Sequence, residues 1–441
     1  MTTAVVGAGL SGLVRAFTLL EENEEVVVYE ASDRPGGVVR SERRDGFLLE
    51  LGPNTVRGTP EVAELVRTLG LSERVRIADR RLPRFIEFRG RLHPIARGPG
   101  ILATRLLSTP GKLRLLAEPL VRRGSAEGES VREFFARRLG GEVADRLIAP
   151  LVSGVWAGDA SRLSIAHAFP TLARWEAEHG SLLRGAIASR RRERPAPPGF
   201  EGLLSFPDGL QELPSALAVR LGDRLRRGTA VRRIVPGAGR WTVEADDGTR
   251  GFERLVIASP AGEAAALLRE IDPDAAAALD AIPHPPLAVL HFAATRDSAS
   301  ALPVGFGHLV VPEPGSRRRV LGAVWSSCLF PGRAPDGEIL LTAFAGGARD
   351  PEILSAADAE LARVAGSELA GSLRLRTPPR LVRATRYARA LPQYDLGHGA
   401  RMEALARAEA RHSGLSLLGS YRGGVSVGEV VRNARRPSAT S

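Results

Sequence analysis

The sequence predicts an α/β protein, and three observations at its N-terminus predict it. Thr3-Ala-Val-Val-Gly7 is a short apolar run ending in glycine, the pattern of a strand buried on both faces of a parallel sheet. Leu10–Leu20 follows with apolar residues at helical spacing. Glu25-Val-Val-Val-Tyr29 then repeats the buried-strand pattern. Strand, helix and strand in that order make a β-α-β unit.

The later elements follow from the same periodicities. Leu48–Gly52 leads into a turn, and Glu61–Leu69 reads as an amphipathic helix. From Leu82 to Gly202, Leu, Ala and Arg recur at helical spacing, broken at Pro110-Gly111, Gly124–Glu129 and Pro195–Gly199. The last break, beside the charge run Arg190–Arg194, reads as a surface loop. From Val231 the pattern turns to strands: Trp241–Ala245 alternates, Asp246–Thr249 turns, and Leu255–Ala258 enters a core. Further strands are expected at Leu287–Phe292, Val320–Trp325 and Ile339–Ala345. Leu415–Leu418, a glycine turn and a helix from about Gly428 close the chain.

Composition narrows the function. With 441 residues, 44% of them hydrophobic, the chain can bury two or three cores. The formal charge is +11, but Lys112 is the only lysine among 61 basic residues. Such arginine bias follows genome composition, so the charge does not argue for a nucleic-acid partner, and no zinc, RRM or recognition-helix pattern accompanies it. It does suit anionic substrates or an anionic membrane face. Cys328 is the only cysteine, which excludes an intramolecular disulfide and a cysteine-rich metal site; no metal is expected. No apolar run approaches the ~20 residues of a membrane span. The first strand begins too early to leave room for a signal peptide, so a cytoplasmic protein is expected.

Gly7-Ala8-Gly9-Leu10-Ser11-Gly12 matches G-x-G-x-x-G at the one place where the motif has physical meaning, after a strand and opening a helix. Gly7 allows the tight turn, Gly9 lets a pyrophosphate approach, and Gly12 lets the helix pack on the strand. The helix N-terminus supplies amides and a positive dipole end. Glu30, at the end of the second strand, can accept hydrogen bonds from both ribose hydroxyls and would repel a 2′-phosphate, which argues against NADP. A dinucleotide site is therefore expected.

Several segments then resemble the flavin amine-oxidase superfamily. Arg34-Pro-Gly-Gly37 is similar to the R-x-G-G element that follows the ribose acid, Val256–Ala261 to the returning strand near the adenosine, and Gly419–Val427 to the C-terminal segment whose amides meet the flavin ring. Within that superfamily the chain resembles the protoporphyrinogen oxidases, through Glu50–Thr55, Val152–Asp159, Leu163-Ser164, Gly180–Leu183, Ser205–Leu210, Gly305–Leu309, Ala345–Gly347 and Pro392–Tyr394. The resemblance covers nearly the whole chain, in order. Val38, where relatives often carry arginine, and Ser420, where many carry asparagine, depart from the pattern.

The resemblance implies a Rossmann-like FAD-binding domain with a mixed-sheet substrate domain and a helical insert. The expected partition is 1–82, 203–282 and 412–441 for FAD, 83–202 for a helical domain with membrane association left open, and 283–411 for substrate. FAD, non-covalent because no cysteine adjoins Gly423-Gly424, would contact Gly7 to Gly12, Glu30, Arg34, Gly37, Val38, Gly52, Pro53, Asn54, Thr55, Val231, Ala258, Gly419, Val425, Ser426 and Val427. The implied reaction oxidises protoporphyrinogen IX to protoporphyrin IX by transfers to flavin N5, with dioxygen as acceptor and hydrogen peroxide as by-product. No catalytic base is assigned. For substrate, Arg84 matches the propionate-binding arginine; Leu309, Val324 and Phe344 match residues that sandwich the macrocycle; Gly154 and Asn54 match positions near ring and flavin. On residue evidence alone Arg84 reads as one surface arginine among many, and the three apolar residues as core. His93, His179, His308 and His398 read as structural or solvated.

Alternatives stand beside this reading. A coproporphyrinogen III oxidase shares fold and cofactor, but its substrate carries four propionates and would need a second basic cluster. A flavin amine oxidase is more distant, since Lys112 falls in the helical insert. A basic membrane or nucleic-acid binder rests on charge alone. Ile101–Val121 fits equally an amphipathic membrane surface and a helix pair in a domain core. A homodimer is left open.

Overall fold

The structure, a computed structural model, describes residues 1–95, 98–189, 196–313, 315–316 and 318–436; the charge run Arg190–Arg194 lies outside them. The β-α-β unit forms as expected: strand Thr2–Val6, helix Leu10–Glu21, strand Glu25–Tyr29. These strands join a five-stranded parallel sheet, in the order Leu225–Arg226, Glu25–Tyr29, Thr2–Val6, Arg254–Ile257, Leu415–Leu417. Alternate side chains serve opposite layers. Val5, Val28 and Val256 pack under Leu10–Glu21 and Glu212–Leu221, while Ala4, Val6, Leu255 and Ile257 pack against the helices Ala261–Leu268 and Pro273–Asp280. That two-sided burial explains why the strands read as continuous apolar runs.

The second sheet is mixed and seven-stranded: Arg380–Tyr387, Leu287–Thr295, Glu338–Gly346, Val320–Val324, Gly307–Val310, Arg84–Phe88, Arg91–Pro94. Gly307–Val310 runs parallel to Arg84–Phe88, and the other neighbours are antiparallel. The helix Asp358–Leu373 covers its back through Leu361, Ala365 and Leu369.

Two expected boundaries change. Residues 84–94 belong to the substrate sheet and not to the helical insert, because Phe85 and Ile86 carry a strand alternation that pairs with His308 and Leu309. The helix His398–Arg411, expected with the substrate domain, packs Leu405 and Ala408 into the nucleotide-side core with Ala275 and Leu279.

The insert contains the helices Thr109–Leu116, Val131–Leu139, Ala149–Trp156, Pro170–His179 and Leu182–Ser189. Their core is Phe134, Phe135, Val152 and Trp156. Fully buried Arg138 pairs with Glu118 and Glu176, which ties the insert together. Within Ile101–Val121 the leucines turn outward: Leu113 is 63% exposed, Leu116 58% and Leu120 85%. Among the described residues no helix is long and apolar enough to cross a membrane.

Candidate functional site

The glycine turn is built as its sequence requires. Gly7 has φ +101°, and a Cβ there would lie 3.0 Å from the Ala258 carbonyl. A Cβ on Gly12 would fall 1.9 Å from the Gly7 oxygen, so helix and strand touch backbone to backbone. A Cβ on Gly9 would meet nothing within 4 Å. Space therefore opens directly above the N-terminus of Leu10–Glu21, where Gly9 provides no side-chain cap to its amides.

The other expected cofactor segments gather around this opening. Gly9 bridges Gly36 as parallel strands do, and the Gly36 amide donates to the Ala8 carbonyl at 2.8 Å. Gly52 lies against the Val38 carbonyl. Val38 is 59% exposed, an apolar side chain at the rim of the opening. The Glu30 carboxylate accepts from the Ala8 amide through Oε2 at 2.7 Å and from the Ser32 amide and hydroxyl through Oε1; Oε2 keeps a lone pair for a ribose hydroxyl. Thr229, two residues before Val231, donates its amide to the Glu30 carbonyl at 2.8 Å. Ala258 donates to Val6.

Two buried polar groups here lack a partner: Nη1 of Arg34 and Oγ of Ser259. Orphaned donors beside an open helix end fit a dinucleotide's phosphates and sugars. One expectation is modified. The helix Val427–Ala434 begins with a capping box, Ser426 and Glu429 satisfying each other's amides. The Glu429 carboxylate offsets the positive end of this helix, and the amides of Val427 and Gly428 lie outside the box. Gly419 and Val425 lie in the loop before it, Val425 partly buried against the insert's core.

The substrate residues meet through sheet register. Arg84 pairs with Gly307, which pairs with Val324. Leu309 pairs with Gly322, which pairs with Phe344. Paired residues share a face, and so do residues two apart. Arg84, Leu309, Val324 and Phe344 therefore line one face of the sheet. Their neighbours Phe85, His308, Ala323 and Ala343 are buried on the other. The three apolar residues form one wall, side by side, and not two facing walls as the sandwich expectation has it. Gly154, on Ala149–Trp156, covers that wall: a Cβ there would lie 2.3 Å from Leu309 Cδ2. Arg84 is exposed, with its guanidinium 4.8 Å from the Phe306 ring centre.

A pocket lined by Asn54, Thr55, Val324, Ser326, Leu329 and Arg333 joins the nucleotide side to this wall. Its floor is charged. Arg333 donates to Glu50 at 2.9 Å and to Ser205, and Ser41 donates to Glu50 at 2.6 Å. Burial pushes the Glu50 carboxyl above its usual range, against the opposing pull of Arg333. Sequence reasoning assigned Arg333 no role, since nothing local marks it. His308 is fully buried behind the wall, where it accepts from Trp325 Nε1 at 3.2 Å, and burial lowers its pKa to about 3. It is structural, as expected. No group of three or more His, Cys, Asp or Glu side chains is arranged to hold a metal among the described residues.

An open glycine turn with an acid at the neighbouring strand end, and a separate apolar face on a second sheet, are the arrangement of a flavin-dependent oxidoreductase. The family model "Flavin containing amine oxidoreductase" matches residues 10–439, and the chain belongs to that family. Within it the chain is 34% identical, over 461 residues, to the chloroplastic protoporphyrinogen oxidase of Nicotiana tabacum, covering 98% of this chain and 83% of the relative. It is 28% identical to the coproporphyrinogen III oxidase of Bacillus subtilis, covering 97% and 95%. A crystal structure of a protein from Exiguobacterium sp. 255-15 superposes with a TM-score of 0.80 at 24% identity, covering 98% of this chain and 97% of that one; the fold is shared.

Proposed function

We propose that this enzyme binds FAD non-covalently and oxidises protoporphyrinogen IX to protoporphyrin IX. The observation that carries the proposal is the single face shared by Arg84, Leu309, Val324 and Phe344 beside the nucleotide opening. A tetrapyrrole needs a broad apolar wall for its macrocycle and a cation for its propionates, and this face offers both. Held by the Gly7–Gly12 turn and Glu30, bound FAD would supply a two-electron acceptor that dioxygen can reoxidise. The protein's part is orientation and exclusion of water. Leu309, Val324 and Phe344 present the apolar surface, Gly154 lets its helix approach Leu309 closely at one side of it, and Arg84 anchors a carboxylate at the exposed end. Anaerobic mixing with protoporphyrinogen IX should bleach the visible flavin band; an unchanged band would refute the assignment.

A second reading, coproporphyrinogen III, would draw on a pocket beyond Leu321 lined by Arg318 and Arg349 together with Glu313 and Asp350, where Arg318 is already paired with Glu87. Porphyrin fluorescence under matched concentrations of the two porphyrinogens separates the readings. We also propose that the enzyme is cytoplasmic and that Leu113, Leu116 and Leu120, beside Lys112, rest on an anionic membrane face. Flotation with anionic liposomes should carry the protein upward, and failure to float removes this contact.

A further inference from the structure

We propose that Tyr394 is a positioning residue for the flavin, clamping the loop Gly419–Gly424 and joining it, through Gln393, to the helix that carries Gly154. The proposal rests on the flavin reading above and adds to it a residue that the resemblance left without a role.

Besides the Asn433 side chain, which donates to the Arg422 and Gly423 carbonyls, the loop has little to hold it. Gly423 has φ +77° and Gly424 φ +127°, so two successive residues sit where only glycine is unstrained. Its internal backbone bond is Arg422 to Gly419, at 3.1 Å. The Tyr394 phenol engages the loop at both ends, donating to the Ser420 carbonyl at 2.6 Å and accepting from the Gly424 amide at 2.9 Å. A phenol has one proton to give, so both contacts fix its orientation together.

The clamp is itself held rigid. Tyr394 is 2% exposed. Its ring stacks on His398 at 4.1 Å and meets Trp156 edge-on at 5.2 Å. Its carbonyl accepts from the Ser164 amide at 2.8 Å. Next door, Gln393 donates its side-chain amide to the Trp156 carbonyl at 2.8 Å, and its own amide donates to Pro283 at 2.8 Å. Trp156 ends the helix whose Gly154 covers Leu309. One dipeptide thus fixes the cofactor loop and the substrate wall's cover to each other, across elements far apart in sequence.

Tyr394→Phe removes both hydroxyl contacts and preserves the ring. In the full-length protein we expect FAD to bind roughly tenfold more weakly, since two partly buried peptide groups lose their partner. The rise in Tm on adding FAD should shrink, and the visible spectrum of the bound flavin should shift. At saturating FAD the KM for protoporphyrinogen IX should stay within about twofold. A merely structural tyrosine would lower the Tm equally with and without FAD and leave the spectrum alone; that result overturns the proposal. Hydrogen exchange on the wild type gives a second test that needs no variant. FAD should protect residues 391–394 together with 419–424, and protection of the loop alone refutes the link. If the wild type takes up no FAD, the flavin reading fails with everything built on it; if it does and Tyr394→Phe matches it, only the present proposal fails.

Discussion

Glu50 and Arg333 form an ion pair at 2.9 Å, with 4% and 3% of their side chains exposed. Glu50 ends the strand Phe47–Glu50 beside the nucleotide site. Arg333 follows the helix Ser326–Leu329 on the substrate side. The pair therefore pins the two halves of the active site together under the pocket that lies between them.

Breaking this pair from one side should be costly. Arg333→Met leaves the Glu50 carboxylate buried without its counter-charge, and about 3–5 kcal/mol of stability should be lost. Urea unfolding measures it. The double variant Glu50→Gln/Arg333→Met should recover part of the loss, because no charge then remains buried. A single variant within about 1 kcal/mol of wild type would show that the pair is dispensable.

Gly9 and Gly12 separate cofactor binding from folding. Gly12→Ala places a methyl 1.9 Å from the Gly7 oxygen and should lower the Tm of the FAD-free protein. Gly9→Ala meets no protein atom within 4 Å, so its FAD-free Tm should match wild type. It should nonetheless weaken FAD about tenfold or more, because the methyl intrudes where the pyrophosphate approaches. Titration of the FAD-free protein with FAD checks both, and unimpaired binding by Gly9→Ala would place the dinucleotide elsewhere.

Arg84→Leu should raise the KM for protoporphyrinogen IX by about 10–100-fold, the loss of one charged hydrogen bond to a carboxylate. The flavin spectrum and FAD affinity should not change, since Arg84 lies on the substrate sheet at the exposed edge. Steady-state porphyrin fluorescence reads the KM. An unaltered KM would assign the propionates to another cation.

His291 predicts an acid limb in stability. It is buried, with Nε2 3.0 Å from the Glu50 carbonyl, and burial lowers its pKa to about 4. The unfolded chain takes up a proton near 6.5, whereas the native state takes one up only near 4. Its contribution is thus intact above pH 6.5 and is lost as the pH falls toward 4, by about 3 kcal/mol. His398, lowered to about 4 by burial, acts in the same direction. Gln at position 291 can still donate to the carbonyl without titrating. Urea midpoints for His291→Gln should fall less between pH 7 and pH 4.5 than those of wild type, and parallel curves would sink the argument.

The glycine turn, the helix it opens and the acid at the next strand end were legible in the sequence. Gly7 to Gly12, Glu30 and Arg34–Gly37 are short-range signals, because a turn, a helix end and a strand end are set by neighbours in the chain. The substrate half was legible only by resemblance. Arg84, Leu309, Val324 and Phe344 come from four strands, and no local pattern says that they share a face. Residues 84–94 show the difficulty: five- and four-residue strands inside a helical stretch reveal themselves only when Gly307–Val310 pairs with them.

By itself the sequence determined that the chain opens with a dinucleotide fold and that a single cysteine, Cys328, leaves no intramolecular disulfide or cysteine cluster to hold it. Tertiary structure alone decided that Arg333 reaches Glu50, that Tyr394 clamps the Gly419–Gly424 loop, and that the apolar substrate residues form one wall. The reason is the range of the forces. Backbone conformation and amphipathic periodicity act over a few residues and leave their mark in order along the chain. Ion pairing, phenol hydrogen bonds and sheet register join residues 26 to 283 positions apart, and only the folded chain brings these together.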